Sequence, residues 1–269
     1  LFFTIGGMLN NLTLFVQGIT GSNIVGAILL GLLLIVIGEI IEIPLAVYST
    51  FYIEEKYGFN KTTTKTFVTD LFKNLLIQSI FSSILYAIVI SIIENLGNNW
   101  WIYAFIAVFL LQLIIFYIYP VLILPLFNKF EPLDDGELKD AINALATKCE
   151  FPLTEISVMD GSKRSSKSNA FFTGIGNNKK IALYDTLIAN HSTSELVAVL
   201  AHEIGHYKKK HIIQTMLLGI AQTGVLFFVL GFFISSEPLS AAFGVKDPKV
   251  YCSLLFFTML FKPISKILS

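Results

Sequence analysis

The chain has 269 residues, of which 54% are hydrophobic and 14% charged, with a formal net charge of +0 and a mean hydropathy of +0.71. Soluble domains carry about 25% charged residues, so this composition excludes a purely soluble globular protein. The neutral balance gives no reason to expect nucleic acid as a partner. Charge is also unevenly placed: residues 128–211 hold 22 of the 38 charged side chains, and the remainder reads as lipid-facing material.

The sequence opens on Leu1 and closes on Ser269 inside an apolar stretch, the pattern of an excerpt from a longer chain. Its first 23 residues contain no Lys or Arg for the positive region of a cleaved signal peptide. Residues 1–19 are weakly apolar and interrupted by Gly6, Gly7, Asn10 and Asn11, which predicts an interfacial or re-entrant piece. Runs long enough to cross the hydrocarbon layer, which takes roughly 20 helical residues, then fall at 24–47, 71–93, 100–127, 212–234 and 250–268. Glu39 and Glu42 lie at the end of the first run beside Pro44, at headgroup level. Trp100, Trp101 and Tyr103 open the third run as an interfacial aromatic belt, and Pro120 and Pro125 kink or end it.

Positive charge orients these spans. Seventeen Lys and Arg fall on the side that carries the 48–73 connection, the 128–211 segment and the end of the chain, against Lys246 and Lys249 on the other. That bias puts the large polar segment in the cytosol. Of the sequons at Asn11, Asn60 and Asn190, only Asn11 then faces a lumen. Cys149 and Cys252 are too few for a disulfide framework and read as free thiols.

The organisation predicted is mainly α: a membrane region over 1–127 with the interfacial piece and three spans, a cytosolic α+β domain over 128–211, and a membrane region over 212–269 with two spans. Within the middle segment, Leu138, Ile142, Leu145 and Ala146 are spaced for an amphipathic helix over 137–149, after an acidic start at Asp134 and Asp135. Residues 155–159, 170–175 and 180–187 are short and rich in β-formers, with Gly176, Asn177 and Asn178 as the turn between the last two. A hairpin or three-stranded sheet follows from that. Ser192, with Glu195 three positions on, makes a capping box for the next helix.

That helix carries His202, Glu203, Ile204, Gly205 and His206. Residues four apart on a helix differ by about 40° around its axis, so His202 and His206 point one way and can hold one Zn2+ together. Glu203 then lies beside the metal without ligating it, placed as general base for the attacking water and as proton donor to the leaving amine. This is the H-E-x-x-H pattern of zinc metalloproteases, and the segment is read as zincin-like. His211 is turned roughly 140° from His206 on a straight helix and is left as a polar residue near the membrane surface, while His191 reads as a solvated loop side chain. No Pro interrupts residues 193–234, so the helix is expected to run straight into the fourth span, with Lys208, Lys209 and Lys210 as a positive anchor between site and bilayer. Zincins hold substrate as an added strand. The candidate here starts at Asn169, Ala170 and Phe171, just after the basic Lys163, Arg164 and Lys167.

Several stretches in order resemble the CAAX prenyl protease 1 family of integral-membrane zinc endopeptidases: 51–60 (FYIEEKYGFN), 125–130 (PLFNKF), 161–169 (GSKRSSKSN), 181–187 (IALYDTL) and 199–211 around the histidines. The resemblance covers nearly the whole sequence from about residue 40. It implies a helical chamber of seven spans capped by a cytosolic zincin domain, and removal of the C-terminal tripeptide from prenylated CAAX proteins. It also implies residence in the endoplasmic reticulum membrane and the inner nuclear membrane. The family's third zinc ligand is a Glu on a helix beyond the span that ends near Ser269, and Glu237 and Asp247 sit on a loop of the opposite side and do not replace it. Residues 1–269 alone are therefore expected to bind zinc poorly and to be inactive. Two other readings fit the residues: a bacterial quality-control zincin of the HtpX type, and a catalytically dead membrane scaffold.

Overall fold

The computed structural model describes residues 7–174, 178–234 and 249–257. Its helices follow the apolar runs, because in lipid a chain must satisfy its backbone N–H and C=O groups within itself. They are α1 (Met8–Ile19), α2 (Asn23–Tyr48), α3 (Thr64–Asn95), α4 (Trp100–Ile118) and α5 (Leu124–Phe127). Pro44 is carried inside α2. A wider-wound π segment, Ser49–Glu54, follows α2, and another, Tyr119–Ile123, joins α4 to α5 with Pro120 at its start, the usual cost of a ring that removes an amide donor.

The soluble-like stretch adds β1 (Phe130–Pro132), α6 (Glu137–Lys148), β2 (Leu153–Met159), β3 (Ala170–Thr173), β4 (Lys179–Tyr184), α7 (Asp185–Asn190) and α8 (Thr193–Lys208), before α9 (His211–Phe233). Four helical stretches are long and apolar enough to cross a membrane: Asn23–Glu54, Thr64–Asn95, Gly97–Phe127 and Ile213–Phe233. The chain is thus mainly helical, with a small sheet.

Several expectations are corrected. Residues 8–19 form a regular helix with Leu9, Thr13 and Val16 buried, uninterrupted at Asn10 and Asn11, which sit off the buried stripe. The second span begins at Thr64 rather than 71, since Lys65 and Asp70 occupy its first turns without breaking it. The sheet has four strands, because the short β1 joins it, and residues 185–187 belong to α7 rather than to β4. Residues 250–257 are helical; the rest of the fifth predicted span lies outside the described residues, as do Gly176 and Asn177 of the predicted turn.

Packing divides the chain into two units, one of residues 1–42, 72–112 and 218–269, the other of residues 43–71 and 113–217. The first is held by Leu9, Val16, Leu30, Ile90, Trp100, Leu230 and Phe256, all buried. Lipid tails are as apolar as these side chains, so helices here associate by shape. Gly31 shows how: a Cβ on it would overlap the Tyr86 ring.

In the second unit the sheet order is β1-β2-β4-β3, with β2 and β4 parallel and both outer strands antiparallel to their neighbours. Ile142 from α6, Ile156, Ile181 and Leu183 from the sheet, and Leu196 and Leu200 from α8 close its core.

A polar seam joins this sheet to the ends of the apolar helices. Arg164 donates from Nε and Nη2 to the two oxygens of Asp70 at 2.6 and 2.9 Å, from Nη1 to Asn128 Oδ1 at 2.9 Å, and from Nη2 to the Phe127 carbonyl at 2.8 Å. Its own carbonyl accepts the Lys61 N–H and the Thr62 hydroxyl, both at 3.0 Å. Beside it, Lys167 Nζ pairs with Glu54 Oε1 at 2.7 Å, the Ser166 N–H bonds the Phe59 carbonyl at 3.0 Å, and Ser162 bonds the Asp185 carboxylate through both backbone and hydroxyl.

Lysine cannot reproduce the planar fork that this site uses. In the full-length protein, R164K and D70N should each lower stability by about 1–3 kcal/mol, between the values for exposed and buried pairs. The R164A/D70A double variant should be no worse than R164A alone, because the two side chains act as one unit. Thermal unfolding in detergent measures this; wild-type melting for both single variants would show the seam to be dispensable.

Candidate metal centre

The direction in which α8 presents its histidines is set by burial. Leu196, Leu200 and Ile204 recur every four residues and are all buried, so one stripe of the helix is committed to the core. Ile204 packs with Ala146 and Phe151. With that stripe fixed, His202 and His206 emerge on the exposed side and Glu203 is half-buried.

Their Nε2 atoms face each other at 3.1 Å, with ring centroids 4.8 Å apart and planes at 72°. Two Zn–N bonds of about 2.05 Å at a tetrahedral angle place the nitrogens roughly 3.3 Å apart, so the pair has the spacing that one zinc ion requires. The Glu203 carboxylate makes no hydrogen bond or ion pair among the described residues. Among the described residues no third His, Cys, Asp or Glu completes a metal-holding group. Glu237 and Asp247 lie outside them.

The start of α8 matches its sequence signature. Glu195 Oε2 accepts both the Ser192 N–H and the Ser192 hydroxyl at 2.8 Å. The end does not: α8 stops at Lys208, Lys210 adopts a φ of 55°, and α9 starts afresh at His211. The predicted straight helix is therefore broken, and His211 is not turned away. Its Nδ1 lies 2.8 Å from Nδ1 of His206. The break is invisible to sequence rules because it uses neither Gly nor Pro. His191, expected to be solvated, is exposed and bonds the Leu187 carbonyl at 3.0 Å.

The predicted substrate strand is β3, at the edge of the sheet. Asn169 precedes it, exposed, accepting the Tyr184 N–H at 3.0 Å and turning its side-chain oxygen onto the Ala170 N–H. Ala170 is buried, and the Phe171 ring meets Tyr184 edge-on at 6.3 Å. Phe172 touches Phe151 at 4.9 Å, and Phe151 touches Tyr207 at 5.0 Å, so a line of rings runs from the edge strand to the end of the histidine helix. Lys179, over the Tyr207 ring at 4.9 Å, has its pKa pushed down by burial.

Comparisons with known proteins agree with this layout. Residues 1–129 match the family model described as CAAX prenyl protease N-terminal, five membrane helices, and residues 132–268 match peptidase family M48. The chain is 40% identical over 232 residues to the probable CAAX prenyl protease 1 of Schizosaccharomyces pombe, an alignment covering 86% of this chain and 49% of the relative. With CAAX prenyl protease 1 of Saccharomyces cerevisiae it is 45% identical over 193 residues, 71% of this chain and 42% of the relative. The crystal structure of S. mikatae Ste24p superposes with a TM-score of 0.85 at 36% identity, covering 91% of this chain and 60% of that one. The chain spans about half the length of the curated relatives it matches.

The two bonds from Ser192 hold the Glu195 carboxyl below the usual value, which is about 4.3. A depressed pKa contributes stability that is complete above the unfolded value and is lost as pH falls through the folded one. Amide exchange over residues 193–200, corrected for its intrinsic rate, should therefore accelerate as pH drops below about 4. E195Q should flatten that dependence. Identical profiles for the two proteins, read by hydrogen-exchange mass spectrometry, would mean the carboxylate does not hold the helix start.

Proposed function

The chain belongs to peptidase family M48, and we propose that it forms the zinc-binding half and much of the membrane framework of a metalloendopeptidase that removes the C-terminal tripeptide from prenylated CAAX proteins. The observation that carries the reading is the pair of Nε2 atoms 3.1 Å apart with Glu203 between them in sequence. It is supported by relatives whose names specify CAAX prenyl protease 1.

His202 and His206 would hold one Zn2+ through Nε2. When bound, that ion supplies Lewis-acid polarisation of a carbonyl and lowers the pKa of a water molecule. Glu203, unengaged and next to His202, takes a proton from the attacking water and later delivers it to the departing amine. The edge strand β3, with Asn169, Ala170 and Phe171 at its start, lines the substrate by strand addition. In an antiparallel ladder alternate residues turn their backbone groups outward, which gives that role here to Phe172 and to the Ala170 carbonyl, the Ala170 N–H being taken by Asn169 Oδ1.

The protein spans the membrane several times. The Lys and Arg bias supports a cytosolic placement of its polar segment, and the family resemblance supports residence in the endoplasmic reticulum membrane, with the inner nuclear membrane as a further location. There the bilayer takes up the prenyl group and brings the polypeptide to the site.

Replacing Glu203 with Gln in the full-length protein should lower cleavage of a farnesylated CAAX peptide by about 10²–10⁴-fold while bound zinc, measured by mass spectrometry of the metal, stays at the wild-type level. Stripping zinc with a chelator should abolish turnover, and adding zinc back should restore it. Undiminished turnover by E203Q would refute the general-base role.

A further inference from the structure

His206 has two ring nitrogens, and both are engaged. Nε2 faces His202 at 3.1 Å, and Nδ1 faces His211 Nδ1 at 2.8 Å. The second contact exists only because the helix is interrupted. Lys209 closes α8 on the Gly205 carbonyl at 3.0 Å, the Lys210 N–H reaches the Tyr207 carbonyl at 2.9 Å, and Lys210 takes up left-handed backbone at φ 55°. That conformation is disfavoured for any residue with a Cβ. The reversal swings His211 back over His206, with ring centroids 4.8 Å apart and planes at 75°.

Two imidazole nitrogens at 2.8 Å require one proton between them: one donates and the other accepts. A histidine that ligates a metal through Nε2 carries its proton on Nδ1, and metal-ligating histidines give that second proton to a nearby acceptor, which fixes tautomer and ring plane. No carboxylate or carbonyl bonds His206 Nδ1 among the described residues, and its charged neighbours in sequence, Lys208, Lys209 and Lys210, are donors only. His211 Nδ1 is the acceptor in place. It also lies on the far side of the His206 ring from Nε2, so it cannot share a metal held between His202 and His206.

The geometry points to His211 as a positioning residue of the metal centre: its Nδ1 accepts the Nδ1–H of His206 and holds that ring with Nε2 aimed at the partner of His202. The inference rests on the proposed zinc site. It adds a residue that a straight-helix reading discards, and it explains a strained lysine at the junction of α8 and α9.

The test uses zinc affinity of the detergent-solubilised full-length protein, measured by competition with a chromophoric chelator, together with the visible absorption of its Co2+-substituted form. H211A and H211L should weaken zinc binding about 10–100-fold and alter the Co2+ band. H211N, whose Oδ1 falls near the position of Nδ1, should return affinity to within a few-fold of wild type. Equal affinity and an unchanged Co2+ band in H211A and H211L would overturn the inference, as would a loss in H211N as large as theirs. H206A separates the two levels: if it leaves zinc affinity intact, the zinc site itself is wrongly placed, whereas loss in H206A with none in H211A sinks the positioning role alone.

Discussion

The arrangement of the second unit depends on one guanidinium. Arg164 sits in the connection between β2 and β3, and four of its N–H donors are divided among Asp70 near the start of α3, Asn128, and the carbonyl that ends α5. Both members of the Arg164–Asp70 pair are about one-fifth exposed, so the attraction acts in a medium well below the dielectric of water. A sheet whose core is made by ordinary burial can float on its attachments. Here the attachment is a directional fork, which ties the β2–β3 connection to α3 and to the end of α5.

The motif helix is constrained differently at each of its parts. Its rotation follows from the buried Leu196, Leu200 and Ile204 stripe, its start from the Ser192–Glu195 box, and its end from the left-handed Lys210. Only the first of these needs the hydrophobic effect. The other two are local hydrogen-bonding and backbone choices, and they decide where the exposed histidines stand along the axis and what meets His206 from behind. A site built this way is held in place by local bonds while its histidines stay exposed.

Much of this was legible in the sequence. The apolar runs named the four long helices, since only helices satisfy a backbone in lipid without partners, and the amphipathic spacing over 137–149 and the capping box were read correctly because both are local. Three things were not legible. The strand β1 is three residues long and contains Pro132, so it has no periodicity to detect; it exists because β2 offers it an edge. The break at Lys209–Lys210 carries no Gly, Asn or Pro, and three lysines in a row read as a helical or anchoring run. The third is the meeting of distant segments. Residues 51–60, 125–130, 161–169 and 181–187 stand out singly in the sequence, yet nothing in any of them shows that Arg164 would reach Phe127, Ser166 would bond Phe59, or Ser162 would bond Asp185.

The two units also differ in what holds them, and this bears on which residues can vary. Around the first, side chains such as Phe72 at 65% and Phe232 at 71% exposure face outward, a surface that water would not tolerate and lipid does. With no hydrophobic drive between helices in that solvent, close approach has to come from small residues, which is why Gly31 lies under Tyr86 and Gly26 under Tyr251. In the sheet-bearing part of the second unit, residues 128–211, burial of ordinary apolar side chains drives packing, and polar groups are spent on direction, as Arg164 and His206 are. Substitutions that change size should therefore matter most among the lipid-facing helices, and substitutions that change hydrogen-bonding shape should matter most around the sheet and the histidines. A single rule of conservation by hydrophobicity would misjudge both.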